Sequence, residues 1–276
     1  MDIKTLALGC VVTAGLTFSA MAHEQIDDTQ SLKNAVNSEF RQAKNVERDG
    51  FRHPLETLSF FDIKASDTVV ELWPGGGWYA EILAPYLAHS GNYIAGNFDT
   101  NPNDEKLRNG YRAKVGKKFE SWLGDNKDHL GDATMVTFDP PVYYHLGKDS
   151  SVDVVLTFRN LHNWAMKGHM KPVFESAYKV LKPGGTFGVV EHRANPGMEA
   201  KTGYMDQAQV IALAETVGFK LVEKSEINAN PKDTKDYPKG VWTLPPRLAL
   251  DSLDREKYLA IGESDRMTLK FVKKNQ

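Results

Sequence analysis

Cysteine is almost absent from this sequence: Cys10 is the only one among 276 residues. It falls within the first 22 residues, which have the pattern of a secretory signal peptide. If that peptide is removed, the remaining chain has no thiol, so it can form neither a disulfide nor a thiolate zinc site. The protein would then need no redox partner in an oxidising compartment.

An excess of either charge is also missing. The formal net charge is −2 at pH 7, and no long run of like charge interrupts the chain. This balance gives no electrostatic surface for nucleic acid or anionic lipid, and we therefore expect no large polyanionic partner. With 41% hydrophobic and 25% charged residues and no internal repeat, the composition is typical of a globular protein with one sizeable core.

Residues 1–22 carry the three parts of a signal peptide. Lys4 supplies a basic start, Leu6 to Ala20 is apolar but too short to span a bilayer, and Ala20-Met21-Ala22 is a small-residue cleavage site. We predict cleavage after Ala22 and an exported, periplasmic protein with no stable membrane insertion. The alternative is an uncleaved anchor or a frayed helix.

The chain is organised around the stretch Asp67 to Leu87. An apolar β-branched run ends in Glu71, the Pro-Gly-Gly-Gly turn Pro74–Gly77 follows, and apolar residues then recur at helical spacing. The pattern predicts a strand, a glycine turn and a helix. Such a turn either brings the backbone close to an anionic ligand or serves only as a tight connection.

Strands and helices alternate through most of the remaining chain. The predicted strands after the glycine turn are Asn92–Phe98, Ala133–Phe138, Val152–Phe158, Thr186–Glu191, Phe219–Ile227 and Arg266–Val272. The predicted helices are Leu55–Phe61, Asp104–Trp122, Lys171–Val180 and Asp206–Val217. This alternation indicates a parallel sheet covered on both faces, and the last two strands, with no marked helix between them, indicate an antiparallel end.

Three regions follow from these patterns: a signal peptide (1–22), an N-terminal helical segment (23–66) and one α/β domain (67–276). In the helical segment, Arg48 to Pro54 is either a solvated linker or a lid with Arg52 and His53 facing a site. The domain contains an irregular insertion near 228–248, rich in proline yet apolar at Trp242. It either covers a pocket or packs against the sheet edge.

Three motifs carry a family resemblance. They are Glu71–Gly77, Val152–Leu156 and the Leu-Lys-Pro-Gly-Gly turn within Val180–Phe187. Together they resemble the class I S-adenosylmethionine-dependent methyltransferases, and Arg159–Trp164 with the export signal is similar to an exported bacterial branch of that superfamily. The resemblance implies a Rossmann-like, seven-stranded, mostly parallel sheet with an antiparallel last strand, and S-adenosylmethionine as the cofactor.

The resemblance also implies a set of cofactor-binding residues. Glu71, Gly75 and Gly77 match an acid followed by alternate glycines, while Trp73 stands at the first glycine position, where it either stacks on a ligand or fills the pocket. The acid that holds the ribose corresponds to Asn97 or Asp99. The acid near adenine corresponds to Asp139.

Candidate catalytic residues lie just past the fourth and fifth strands. They are Arg159, Asn160, His162, Glu191 and His192. A histidine there could serve as the base for a protonated acceptor, and an arginine could hold an anionic one. Each histidine alone could equally be structural. The spacing of the histidines is not a helical metal-ligand pattern, so no metal is predicted.

Two functions of different classes fit these residues. The first is an S-adenosylmethionine-dependent methyltransferase that acts on a small molecule. The alternative is an exported, non-catalytic ligand-binding protein that keeps the fold, which the export signal, Trp73 and Asn97 favour. A dehydrogenase is disfavoured, because the glycine spacing lacks the dinucleotide fingerprint.

Overall fold

The computed structural model describes residues 28–274, which are built around one seven-stranded sheet. The strands are β1 (Thr68–Leu72), β2 (Asn92–Asn97), β3 (Thr134–Thr137), β4 (Val152–Phe158), β5 (Leu181–His192), β6 (Phe219–Ser225) and β7 (Arg266–Lys273). Their spatial order is β3-β2-β1-β4-β5-β7-β6, and β7 is antiparallel to both of its neighbours. The predicted Rossmann-like fold is therefore confirmed. The predicted signal peptide and its cleavage site lie outside the described residues.

The helices that accompany the sheet are mostly short. They are α1 (28–36), α2 (Ala43–Val46), α3 (Asp49–Arg52), α4 (Pro54–Phe60), α5 (Ala80–Leu87), α6 (Glu105–Arg108), α7 (Tyr111–Asp125), α8 (Lys127–Leu130), α9 (Leu161–Ala165), α10 (Met170–Val180), α11 (Gln207–Val217) and α12 (Arg255–Ile261). Among residues 28–274, none of these helices has the length and apolar content needed to cross a bilayer.

Two predictions about helices were wrong. The single helix predicted over Asp104–Trp122 is two helices, α6 and α7, because Gly110 adopts an extended conformation between them. A side chain at Gly110 would bring its Cβ within 2.9 Å of the Leu107 carbonyl oxygen. The structure also has α12 between β6 and β7. Only Tyr258 of that helix is buried, so it carries no apolar periodicity that the sequence could show.

The central strands divide the core into two layers. Val69 of β1 and Val154 of β4 face one layer, while their chain neighbours Val70 and Val155 face the other. This alternation follows from the two-residue period of a strand. Because both faces are covered, β4 is apolar almost throughout, and its predicted bounds, Val152–Phe158, match those observed.

The N-terminal segment docks on the start of α5. The buried Glu81 carboxylate accepts hydrogen bonds from the Asn45 amide (2.9 Å) and the Gln42 backbone N–H (3.2 Å). The Trp78 indole N–H donates to the Asn45 carbonyl at 2.9 Å. These bonds place α2 and α3 over the glycine turn, and so bring Arg48 and Arg52 to the end of the sheet.

Candidate active site

A cavity of about 560 Å³ lies at the carboxyl ends of the central strands. Its wall includes residues that follow β1, β2 and β4, the last residue of β5, and residues of the segment 241–247. A second cavity, of about 280 Å³, adjoins it. Both are lined by Arg48, Arg52, Trp73, Gly75, Arg159 and Asn160. The position is the switch point at which β1 lies between β2 and β4, where open α/β sheets bind ligands.

The glycine turn after β1 has one open and one packed glycine. Gly75 has a φ of 60°, and a Cβ built on it would meet nothing within 4 Å. Gly77 has a φ of 81°, but its Cβ would lie 3.3 Å from the Phe119 ring. Gly75 therefore leaves room for a ligand, whereas Gly77 allows α7 to pack closely against the turn.

Trp73 adopts the left-handed backbone conformation that glycine favours, with a φ of 51°. Its indole N–H donates to the Phe138 carbonyl at 2.8 Å, and its ring packs against Phe98 and Trp164. The Arg112 guanidinium lies 4.6 Å from the ring centroid. The side chain is only 6% exposed, so the indole fills space at the strand ends and presents a limited surface to the cavity.

The three predicted nucleoside-binding residues line neither cavity. Asn97 is buried, and its side-chain oxygen accepts from the Phe98 backbone N–H at 2.8 Å. Asp99 accepts from the Asn101 backbone N–H, and Asp139 accepts from the Asp99 backbone N–H and from Arg112. Burial raises the pKa of Asp139, although these donors oppose it. Their proposed binding roles stay predictions.

Glu71, at the end of β1, is buried beside the second cavity. The Tyr93 hydroxyl donates to its Oε2 at 2.7 Å. Burial raises the pKa of Glu71 from 4.5 to about 7, although the Tyr93 hydrogen bond and the charge of Arg159 both act to lower it. The ionisation of this carboxyl is thus coupled to folding near neutral pH.

A Glu71→Gln variant should remove part of the pH dependence of stability. Because folded Glu71 holds its proton up to about pH 7, its contribution to the free energy of unfolding is present below pH 4.5 and falls as the pH rises through 7. From the shift, the fall between pH 5 and pH 8 is about 2.5 kcal/mol. Denaturant unfolding at both pH values should show that the variant lacks this fall. Glu120→Gln, at an exposed position of α7, is the control and should behave as the wild type.

His162, just past β4, comes together with Glu191 and His192, the last two residues of β5, as their positions at neighbouring strand ends predict. The Glu191 carboxylate accepts from the backbone N–H groups of Leu161 (2.5 Å) and His192 (2.8 Å). His162 Nδ1 lies 3.2 Å from Glu191 Oε1. A carboxylate only accepts hydrogen bonds, so we assign the proton to Nδ1, which leaves Nε2 as an acceptor.

The second histidine has a different environment. His192 Nδ1 lies 2.5 Å from the Ser264 hydroxyl oxygen, and its ring centroid is 5.5 Å from that of His162. Burial lowers the pKa of His192 well below its ordinary value, and repulsion from the protonated form of His162 and from Arg159 lowers it further. His192 is therefore neutral at physiological pH.

The potential ligand atoms of His162, Glu191 and His192 lie within 4.8 Å of one another, which is close enough to hold a metal ion. Two observations favour a base over a cation site. Both Glu191 oxygens already accept backbone hydrogen bonds, and the positive charges of Arg52, Arg159 and Arg266 all act on His192. Cation binding would have to overcome that repulsion.

The two remaining predicted residues follow β4. Asn160 donates to the carbonyl oxygens of Leu72 (2.9 Å) and Trp73 (3.3 Å), and so ties the end of β4 to the end of β1. Arg159 has a φ of 61° and lines both cavities. Burial lowers its pKa to about 10, against the opposing effect of Glu263.

The structure decides between the alternatives that the sequence left open for two segments. Arg52 is buried and lines the cavity, so the segment Arg48–Pro54 is no solvated linker, although His53 does not line either cavity. The insertion contributes Trp242 and its neighbours to the cavity wall, as expected of a cover.

Sequence reasoning missed Arg112, Glu263 and Ser264. Arg112 gave no signal, because its position depends on how α7 lies across the strand ends. Glu263 and Ser264 did have a usable signal in the sequence. They lie just before β7, and an antiparallel β7 must start beside the end of β5. The register pairs Arg266 with His192.

This strand order, with a cavity at its switch point, defines the class as the Rossmann-like methyltransferase fold. Solved structures share it over most of the chain. One is a SAM-dependent methyltransferase from Aquifex aeolicus, with 14% identity and a TM-score of 0.53, covering 89% of this chain and 98% of that one. Another is the (4+2)-cyclase SpnF, with 14% identity and a TM-score of 0.56, covering 92% and 96%. Such low identity shows the fold alone. The sequence matches no protein family and no curated protein.

Proposed function

We propose that the protein transfers a methyl group from S-adenosylmethionine to a small-molecule acceptor. The observation that carries this proposal is the cavity at the switch point, which is lined both by the open glycine Gly75 and by His162. The similarity of fold to a SAM-dependent methyltransferase supports the choice of cofactor. The volume of about 560 Å³ is in the range of small-molecule sites.

The lining residues suit some parts of S-adenosylmethionine better than others. The open position at Gly75 is a cradle that a Cβ would fill, which suits close approach of the amino-acid half to the backbone. Phe98, Val115 and the exposed part of Trp73 offer an apolar surface for the base. Because Asp99 and Asp139 bond within the protein, we expect stacking to contribute more than acid–hydroxyl bonds to nucleoside binding.

Bound S-adenosylmethionine would supply an electrophilic methyl group, which would pass to the acceptor while the electron pair of the carbon–sulfur bond would stay on sulfur. The protein contributes alignment and, for a protonated acceptor, a base. His162 Nε2 would take that proton while Glu191 fixes the ring through Nδ1. Val241, Trp242 and Leu244, which belong to the insertion, would exclude water from the cavity.

The second candidate function is ligand binding without catalysis. The specific observation in its favour is Trp73, a nearly buried indole at the position of the first glycine, with Arg112 over its ring. Export would also separate the chain from the cytoplasm, where S-adenosylmethionine is made. The (4+2)-cyclase with this fold is consistent with a function other than methyl transfer.

Calorimetric titration with S-adenosylmethionine and S-adenosylhomocysteine tests the choice between these functions. We expect binding in the micromolar range, on the order of −8 kcal/mol. No binding at millimolar ligand would contradict the methyltransferase proposal and favour the binding protein.

We also propose that the chain is exported to the periplasm as a member of the exported branch that its motifs resemble. The support is the signal-peptide pattern of residues 1–22. N-terminal sequencing of the protein from a periplasmic extract should give a chain that starts at His23. An intact Met1 in the cytoplasmic fraction would contradict this proposal.

A further inference from the structure

The wall of the larger cavity carries an unusual excess of arginine. It includes Arg48, Arg52, Arg112, Arg159 and Arg247. Among the described residues that line this cavity, Glu263 is the only carboxylate. Arg112 is paired with Asp139, outside the cavity wall, and Arg247 is exposed. The three that need an explanation are therefore Arg48, Arg52 and Arg159.

Glu263 cannot satisfy these arginines. Its carboxylate accepts from Arg48 Nε at 2.6 Å, from Arg52 Nε at 3.1 Å and from Arg266 Nη1 at 3.3 Å. Although burial acts to raise it, the pKa of Glu263 is held at about 2 by these neighbours. One carboxylate is thus shared by three guanidinium groups.

Several donors of the arginines have no partner in the part of the chain that the structure describes. Arg48 Nη2 and Arg52 Nη1 are buried without a hydrogen bond. The Arg52 side chain is only 4% exposed. The Arg159 guanidinium makes no hydrogen bond or ion pair with residues 28–274; burial and the charges of Arg266 and Arg48 lower its pKa, and Glu263 opposes them only in part. Buried charged donors of this kind are costly unless an anion satisfies them.

The cofactor alone does not provide enough negative charge. S-adenosylmethionine carries a sulfonium, an ammonium and one carboxylate, so its net charge is positive. Its carboxylate could pair with one arginine, but its binding would leave the cavity more positive than before. The remaining negative charge has to come from the other ligand of the cavity.

Another part of the wall is apolar. Val241, Leu244 and Pro245 lie there with Trp242, whose ring centroid is 5.8 Å from that of His162. A ligand that spans the cavity would therefore place an anionic group on the arginines and an apolar body under the insertion, with its reacting atom near His162.

We propose that the acceptor is an anionic small molecule whose carboxylate or phosphate group binds Arg48, Arg52 and Arg159 while its apolar body contacts Trp242. This inference rests on the proposed methyl transfer. Guanidinium groups suit either oxyanion, because their paired donors match two oxygen atoms at once.

The test is calorimetric titration of the protein with benzoate, phenyl phosphate and the neutral benzamide, at constant low ionic strength, with S-adenosylhomocysteine at saturation. We expect at least one anion to bind ~10-fold more tightly than benzamide or better. The ratio of benzoate to phenyl phosphate affinity distinguishes the two oxyanions. Arg159→Gln should weaken binding of the anion by about 10-fold without affecting the binding of benzamide. Arg159→Lys should restore part of the lost affinity.

Arg255→Gln is the matched control, because it removes the same charge from an exposed position outside the cavity. Arg159→Gln should change the free energy of unfolding of the ligand-free protein little, since Arg159 makes no hydrogen bond or ion pair with residues 28–274. Arg48→Gln provides a second variant if Arg159→Gln fails to fold.

Three results would overturn the inference: benzamide binding as tightly as the anions, an equal loss in Arg255→Gln, or displacement of S-adenosylhomocysteine by the anions. The last would show that the arginines hold the cofactor carboxylate. Failure of S-adenosylhomocysteine itself to bind would instead overturn the proposed function. Anion titration without it would then still decide whether the arginines form an anion site.

Discussion

Replacing Gly75 by valine should lower the affinity for S-adenosylhomocysteine by about 100-fold while the protein remains folded. Gly75 lines both cavities, and its Cβ position is open in the ligand-free protein. A branched side chain would occupy the space that the ligand needs, and forcing extra methyl groups into a filled site costs ~1–3 kcal/mol. At ~1.4 kcal/mol for each factor of ten, the upper part of this range gives the expected loss.

The control has to separate lost space from backbone strain. Valine at a φ of 60° is strained by about 1–2 kcal/mol, whatever surrounds it. Gly168 has a φ of 73° and equally open surroundings, but it lies in the turn before α10, outside both cavities. Gly168→Val should therefore lose similar stability and keep its affinity. Unchanged binding by Gly75→Val would remove the glycine turn from the site.

Replacing His162 by alanine should slow methyl transfer to a protonated acceptor by about 100-fold at pH 7, and by much less at pH 10. A positioned general base contributes about 10²–10⁴-fold. Its contribution is lost once the acceptor ionises in solution, because no proton then remains to be removed. The measurement is the pH profile of turnover with the anionic acceptor class proposed above.

His169→Ala is the matched control for this prediction, since His169 precedes α10 and lines neither cavity. Its pH profile should match that of the wild type. If His162→Ala slows turnover equally at all pH values, His162 positions the substrate instead of removing its proton. A rate unaltered throughout would remove His162 from the mechanism.

Much of the fold could be predicted because its central strands are buried on both faces. Val152–Phe158 is apolar almost throughout, so its bounds follow from composition alone. Where an element buries only one face or very few residues, the apolar pattern in the sequence is too weak to predict it. The segment Arg255–Ile261 forms a helix while burying a single side chain, and a pattern of one residue has no period.

The candidate site could be predicted only where strand ends define it. His162 follows β4, and Glu191 and His192 end the adjacent parallel strand β5, so the sheet brings them together. Asn97 shows the limit of this argument: it ends β2, yet its side chain turns inward to Met135 and the Phe98 backbone. Strand position fixes where a residue lies along the sheet, whereas the direction of its side chain depends on neighbours that are distant in sequence.

The walls of the two cavities contain three of the five tryptophans of the chain: Trp73, Trp78 and Trp242. Indole emission responds to nearby charge and to contact with water, so most of the tryptophans of this protein can report on the site. Arginine lies close to two of these rings, with Arg112 over Trp73 and Arg52 over Trp78. A ligand that draws either guanidinium away would change the emission. The protein thus carries its own optical reporter, and occupancy of the cavity can be followed without a label.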